Sequence, residues 1–296
     1  MTTNPSLPFP RVWMITGASR GIGARIAEAA LAQGDAVVVT ARNAASLEKR
    51  FGQSDALLPL ALDVTDEAQT RHAVGAALER FGRIDVLVNN AGYGLLGAVE
   101  ESTADEVRRL YDTNVFGLLH VTRAVLPGMR ARRAGHVINI SSLGGVQSSA
   151  GFGLYCSTKF AVEGITEALH AELAPLGIHA TVVEPGYFRT EFLDTGSLAV
   201  SPQVLDDYAQ SAGAVREAAR RINLNQPGDP VRLAQAVMQL VASPTPPLRL
   251  PLGTDTLQTI AEKHAFVERE TAQWRAVAAS TDFPAQEREA HAQRVA

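Results

Sequence analysis

Tyr155 and Lys159, in the stretch Tyr155-Cys156-Ser157-Thr158-Lys159, are the two side chains whose types and spacing promise chemistry. Val162, Ile165, Leu169 and Leu173 follow them at spacings of three and four before Pro175 and Gly177. That pattern predicts a helix, with the phenol and the amine on one face, one turn apart. A phenol is a poor acid or base near neutrality, its ordinary pKa lying near ~10, and a neighbouring ammonium favours the phenolate. Moving that value by about 3 units takes roughly 4 kcal/mol, part of which a cation at i+4 can supply. Taken alone the pair is a weak signal, because a packed ring beside a solvated amine has the same spacing.

The elements that must position the pair alternate along the chain. Residues 12–16, 36–40, 57–64, 84–89, 136–141, 178–184 and 248–252 are apolar runs, separated by amphipathic, helix-like stretches. Continuous apolar strands alternating with helices predict an α/β, doubly wound, seven-stranded and mainly parallel sheet with helices on both faces. Thr103 and Glu106 have the spacing of a capping box, and Thr65 precedes Asp66 and Glu67 at another helix start. Residues 1–10 read as a flexible tail, 11–253 as the catalytic domain, and 254–296 as its C-terminal helical extension, with a charged amphipathic helix over 257–277.

Composition narrows the function classes. The chain has 296 residues, 46% of them apolar, enough for one full core. A net charge of -4 offers no general attraction to nucleic acid or anionic lipid, so neither is an expected partner. The single cysteine, Cys156, excludes an intrachain disulfide and a multi-cysteine zinc site, which points to a reducing cytoplasm. No metal is expected, since His72, His120, His136, His170 and His179 lack ligand spacing. The N-terminal segment lacks the basic start and apolar centre of a signal peptide, and no run of about 18 apolar residues suggests a membrane span.

Thr16-Gly17-Ala18-Ser19-Arg20-Gly21-Ile22-Gly23 lies between the first strand and the first helix, where backbone amides and a helix N-terminus can hold a pyrophosphate. Glycine is needed where a side chain would block that approach. The second strand ends Val39-Thr40-Ala41-Arg42, with no carboxylate before Glu48, whereas an acidic residue here would suit the ribose of NAD. Arg20 and Arg42 together favour NADP over NAD; the plainer reading of Arg42 is a solvated loop charge.

Thr16 to Gly23, Asn89-Asn90-Ala91-Gly92, Asn114, Ser142, Tyr155-x-x-x-Lys159 and Pro185-Gly186-Tyr187-Phe188-Arg189-Thr190 stand in the order and spacing of the short-chain dehydrogenase/reductase family. The chain resembles that family closely over residues 12–190, in its NADP-preferring form. The resemblance implies a single Rossmann-like domain and interconversion of alcohols and carbonyls by hydride transfer. It implies Tyr155 as general acid or base, with Lys159 lowering its pKa and binding nicotinamide-ribose hydroxyls. Ser142 would hydrogen-bond the substrate oxygen, and Asn114 would hold a water linking Lys159 to solvent. Gly17, Ser19, Arg20, Gly21, Ile22 and Gly23 would cradle the cofactor, Arg42 its adenosine end, and Asp63 and Val64 its adenine. Asn90, Ala91 and Gly92 would sit beside its ribose, although Asn and Gly also build plain strand-end turns. Pro185, Gly186, Phe188 and Thr190 would close over the nicotinamide.

Tyr93, Leu95, Leu96, residues 143–152 and residues 187–198 are expected to line a substrate pocket rich in apolar side chains, among them Phe152, Phe192 and Leu193. Such a lining suits an apolar ketone, aldehyde or alcohol better than an anionic one. Cys156 reads as a small packing residue. Two other functions fit parts of the pattern. A sugar-nucleotide epimerase or dehydratase shares Tyr-x-x-x-Lys, but it would need a larger substrate domain. A non-catalytic dinucleotide sensor would dispense with the tyrosine, lysine and serine, all of which are present. Family precedent suggests a homodimer or homotetramer through helices over residues 107–129 and 160–173.

Overall fold

The computed structural model describes residues 9–284. Seven strands, β1 (Val12–Ile15), β2 (Ala36–Ala41), β3 (Leu57–Ala61), β4 (Val86–Asn89), β6 (Gly135–Ile140), β7 (Ile178–Pro185) and β9 (Arg249–Leu252), form one sheet in the order β3-β2-β1-β4-β6-β7-β9. Every pairing in it is parallel. The helices are α1 (Gly21–Ala32), α2 (Ala44–Phe51), α3 (Glu67–Phe81), α4 (Ala104–Tyr111), α5 (Gly117–Arg132), α6 (Gly153–Leu173), α7 (Ala214–Ile222), α8 (Pro230–Ala242) and α9 (Thr254–Ala279). Two large clusters of buried apolar side chains result, because strands buried on both faces need cover on both. Ile15, Val37 and Val39 meet α1 and α8 through Ile26, Leu233 and Val237. Met14, Val38 and Leu87 meet α3 and α5 through Val74, Ala77, Val121 and Val125.

Strand order reverses between β1 and β4, the switch point beyond whose carboxyl ends open α/β sheets place ligands. Asp35, before β2, is buried and accepts hydrogen bonds from the Trp13 indole (2.9 Å) and the Arg11 amide (3.1 Å), which leaves it a structural turn residue. Thr103 and Glu106 form the expected capping box at α4, and Asp66 rather than Thr65 caps α3.

Three features depart from the sequence reading. A second, two-stranded sheet pairs β5 (Gly94–Leu96) with β8 (Leu198–Val200), about a hundred residues apart in the chain. Phe9 packs edge-on against Phe81, so the chain is already anchored before residue 10; residues 1–8 of the expected tail lie outside the described residues. Helix α9 packs only through its first turns: Thr256 is buried, whereas Val267 and Trp274 stand exposed. Residues 285–296 of the expected extension also lie outside the described residues.

Candidate active site

A cleft of about 650 Å³ opens over the carboxyl ends of the strands. The glycine loop forms its floor at one end. Gly17 (φ 64°) and Gly21 (φ 58°) adopt the left-handed region that favours glycine, and a Cβ on Gly17 would come within 2.9 Å of the Ala91 Cα. Helix α1 has no side-chain cap and no acidic residue in its first turn. Its first N–H groups have no intrahelical partner, so the loop presents donors and a positive dipole end to an anion. This arrangement fits the pyrophosphate of a dinucleotide.

Gly23 and Asn90 have different placements. Gly23 does not line the cleft; a Cβ there would collide with the Asn90 amide, so this glycine permits packing. Asn90 does line it, and its Nδ2 also donates to the carbonyls of Thr16 and Gly17 at 3.0 Å each. Thr16, which the sequence reading left without a role, accepts from the amides of Asn90 and Ala91 at 3.0 Å each. Its signal was its place at the end of β1, where a hydroxyl can bridge two strand ends.

Ser19, Arg20, Ile22, Arg42, Asp63, Val64, Ala91 and Gly92 all line the cleft. Arg20 donates through Nη2 to the Gly196 carbonyl, spanning the cleft mouth. Arg42 is exposed at the rim. The Asp63 carboxylate turns back to the amide and hydroxyl of Thr65, at 3.0 and 2.7 Å.

Helix α6 delivers Tyr155 and Lys159 to the other side, both buried and both lining the cleft. Lys159 Nζ donates to the Ile140 carbonyl (2.8 Å) and lies 5.8 Å from the centre of the Tyr155 ring. Burial pushes the ammonium down to about 8, against the opposing charge of Glu163. Burial also raises the phenol, and the Ser142 hydroxyl only partly opposes it. The expected lowering of Tyr155 by Lys159 is therefore absent in this geometry, because desolvation of a buried phenolate outweighs its neighbours. The phenol stays protonated across the neutral range.

Ser142 caps the Leu143–Gly145 turn by accepting from the Gly144 amide (3.0 Å), which leaves its hydroxyl proton free to donate. Asn114 sits in a π-helical turn (Asp112–Phe116) between α4 and α5 and does not line the cleft. Its amide accepts from Tyr93 N (3.0 Å) and donates to Tyr93 O (2.9 Å) and Thr158 (3.1 Å). It thereby holds Gly92 and Tyr93 near Lys159, since a Cβ on Gly92 would lie 3.9 Å from Nζ. Asn139, also absent from the sequence reading, accepts from Asn89 (2.8 Å) and donates to Thr166 (2.9 Å), tying α6 to the sheet.

Pro185, Gly186, Phe188 and Thr190 also line the cleft, and a Cβ on Gly21 would lie 3.7 Å from the Thr190 Cβ. Phe152, Tyr187, Phe192, Leu193 and Leu198 bring apolar side chains into this half beside Gln147, Ser149, Ser197 and Gln226, and the Phe192 ring lies 5.6 Å from Tyr155. Leu95 and Leu96, expected here, lie outside the cleft because strand pairing in the small sheet buries them. Glu191 and Asp112 are carboxylates of the lining and Arg109 is a cation in it, while Arg189 lies outside it and donates to the Gln226 carbonyl (3.2 Å).

The chain matches the family model described as short chain dehydrogenase over residues 11–198. It is 39% identical over 268 residues to oxidoreductase BOA17 of Botryotinia fuckeliana, covering 90% of this chain and 97% of that one. It is 38% identical over 244 residues to a 3-ketodihydrosphingosine reductase of Bacteroides thetaiotaomicron, covering 82% and 88%. The solved short-chain dehydrogenase of Streptomyces avermitilis superposes with a TM-score of 0.85 at 41% identity, over 92% of this chain and all of that one. A Burkholderia phymatum relative in complex with NAD gives a TM-score of 0.78 at 25% identity, over 89% and 96%. A serine dehydrogenase complexed with NADP+ gives 0.69 at 28%, over 81% and 94%. On the family match, the identities and the shared sheet, this chain is an oxidoreductase of the short-chain dehydrogenase/reductase family.

Proposed function

We propose that the protein is an NADPH-dependent reductase of apolar ketones or aldehydes, working reversibly on the matching alcohols. The observation that carries this reading is a buried, protonated phenol facing a cleft that joins a glycine loop to a wall carrying Phe152, Phe192 and Leu193.

Bound NADPH supplies the hydride. The glycine loop and the α1 N-terminus hold its pyrophosphate, with Gly92 and Lys159 at the ribose and Thr190 at the nicotinamide end. Arg42 supports NADP over NAD, because among the described residues it has no hydrogen bond or ion pair and it borders the cleft. The substrate oxygen accepts hydrogen bonds from Tyr155 and Ser142. As negative charge develops on that oxygen, Tyr155 releases its proton to it, and the Ser142 hydroxyl stabilises the same charge. Lys159 stabilises the phenolate that remains. Phe152, Phe192 and Leu193 bind the carbon skeleton and exclude water. The 3-keto lipid named for the Bacteroides relative is consistent with an apolar substrate.

The test is NADPH oxidation with a panel of diketones, aliphatic ketones and anionic keto acids. Turnover of the apolar compounds, abolished in Tyr155→Phe while NADPH still binds, is the expected result. Turnover of keto acids alone would overturn the substrate class, and full activity in Tyr155→Phe would overturn the mechanism.

A further inference from the structure

One turn beyond Lys159 on α6, Glu163 is 5% exposed, and Glu184 on β7 is 1% exposed. Carboxylates are almost never buried this fully without partners. Arg249, from β9, donates through Nη1 to Glu163 and to Glu184 (2.9 Å), and through Nη2 to the exposed Glu167 (3.2 Å). One guanidinium thus serves two buried carboxylates and a third at the surface. Among the described residues, Glu184 Oε2 has no hydrogen-bond partner. An orphaned buried acceptor is costly, and two adjacent carboxylates that cannot both ionise hold a proton between them. Burial foremost, and then the Glu184 charge, raise Glu163 to about 7 against the Ser141 hydroxyl and Arg249.

Glu163, Glu184 and Arg249 do not line the cleft, whereas the neighbouring Ser141 does. A Cβ on Gly145, in the turn capped by Ser142, would lie 2.8 Å from Glu163 Oε1 and collide with the Ser141 hydroxyl. The charge of Glu163 also supports the buried Lys159 ammonium. The groups facing Glu163 are Lys159 and Glu167 from α6, Glu184 from β7, Arg249 from β9 and the Ser141 hydroxyl beyond β6.

We infer that Glu163 and Glu184 share one proton under Arg249, and that this buried cluster positions the Ser142 turn and the Lys159 ammonium. They are positioning residues, since neither touches the cleft. The positioning role rests on the reductase reading above; the shared proton does not.

Three full-length variants test both parts: Glu163→Ala, Glu163→Gln and Glu184→Gln. Urea unfolding midpoints from pH 5 to 9 read the proton, and kcat and KM with NADPH and a diketone read the positioning. A glutamine amide donates where the shared proton would, so the wild-type fall in stability as pH rises through about 7 flattens in both glutamine variants. Glu163→Ala loses at least tenfold in kcat with KM for NADPH within twofold, and Glu163→Gln recovers most of that loss and removes the pH dependence near 7. An unchanged pH slope in the glutamine variants, or failure of both to fold, overturns the shared proton. Wild-type kcat in Glu163→Ala overturns the positioning role. If wild-type protein turns over no carbonyl, the reductase reading fails, while the stability slopes still decide the proton.

Discussion

The two ends of the cleft are built differently. At the glycine-loop end the shape comes mainly from the backbone, through left-handed glycines and an uncapped helix start, with Thr16 and Asn90 side chains tying two adjacent strand ends. At the apolar end the shape comes from side chains far apart in sequence. Buried Glu101 accepts from the Ala98 amide (2.6 Å), the Leu205 amide (3.0 Å) and Arg216, a residue 115 positions away. Asn223 donates to Asp194 across the same region, and β5 pairs with β8. The contrast teaches that the glycine-loop end is shaped near the ends of adjacent strands, whereas the other end depends on a long-range ion pair, a hydrogen bond and a strand pairing that hold otherwise irregular segments.

The largest expected effect falls where the two ends meet. Tyr155→Phe lowers turnover by about 10²–10⁴-fold, the range of positioned acid catalysis, with NADPH binding preserved in a fluorescence titration. A parallel loss of NADPH binding would break the division between the ends. Next comes Glu101→Ala, which leaves Arg216 buried and unpaired; urea unfolding should show a loss of about 3–5 kcal/mol. Its residual activity should show a raised KM for the carbonyl before any change in KM for NADPH. Arg42→Ala should raise KM for NADPH by about tenfold, the size of one charged hydrogen bond, without altering KM for NADH. Equal effects on both cofactors would remove Arg42 from recognition of the 2′-phosphate.

The smallest effect on stability concerns Lys159, where stability and activity move in opposite directions. Burial holds its folded pKa near 8, below its ordinary 10.5, so the folded state bears the cost of a buried charge below about pH 8 and is relieved of it between 8 and 10.5. Lys159→Met removes that cost but also the hydrogen bond to the Ile140 carbonyl. At pH 7 it should be more stable by about 1 kcal/mol and inactive, the difference fading toward pH 10.5. Destabilisation at pH 7 would show that the hydrogen bond outweighs the buried charge.

Much of this molecule is legible in its sequence. Seven apolar runs became seven parallel strands, and the stripe from Val162 to Leu173 became α6 with Tyr155 and Lys159 in its first two turns. Periodicity and glycine placement are local properties of the backbone, so the residues themselves express them. Other features had no local signature. Leu95 and Leu96 read as pocket residues because nothing nearby announces a partner strand at 198–200. The phenol read as lowered because charge is visible in a sequence and burial is not.

By itself, the sequence determined the doubly wound sheet, the position of the glycine loop and the pairing of phenol with amine. Only the tertiary structure decided which acids and bases lose their water, and Glu163, Glu184 and Arg249 come together from three separate elements. Desolvation depends on every neighbour at once, and chain order does not encode those distances.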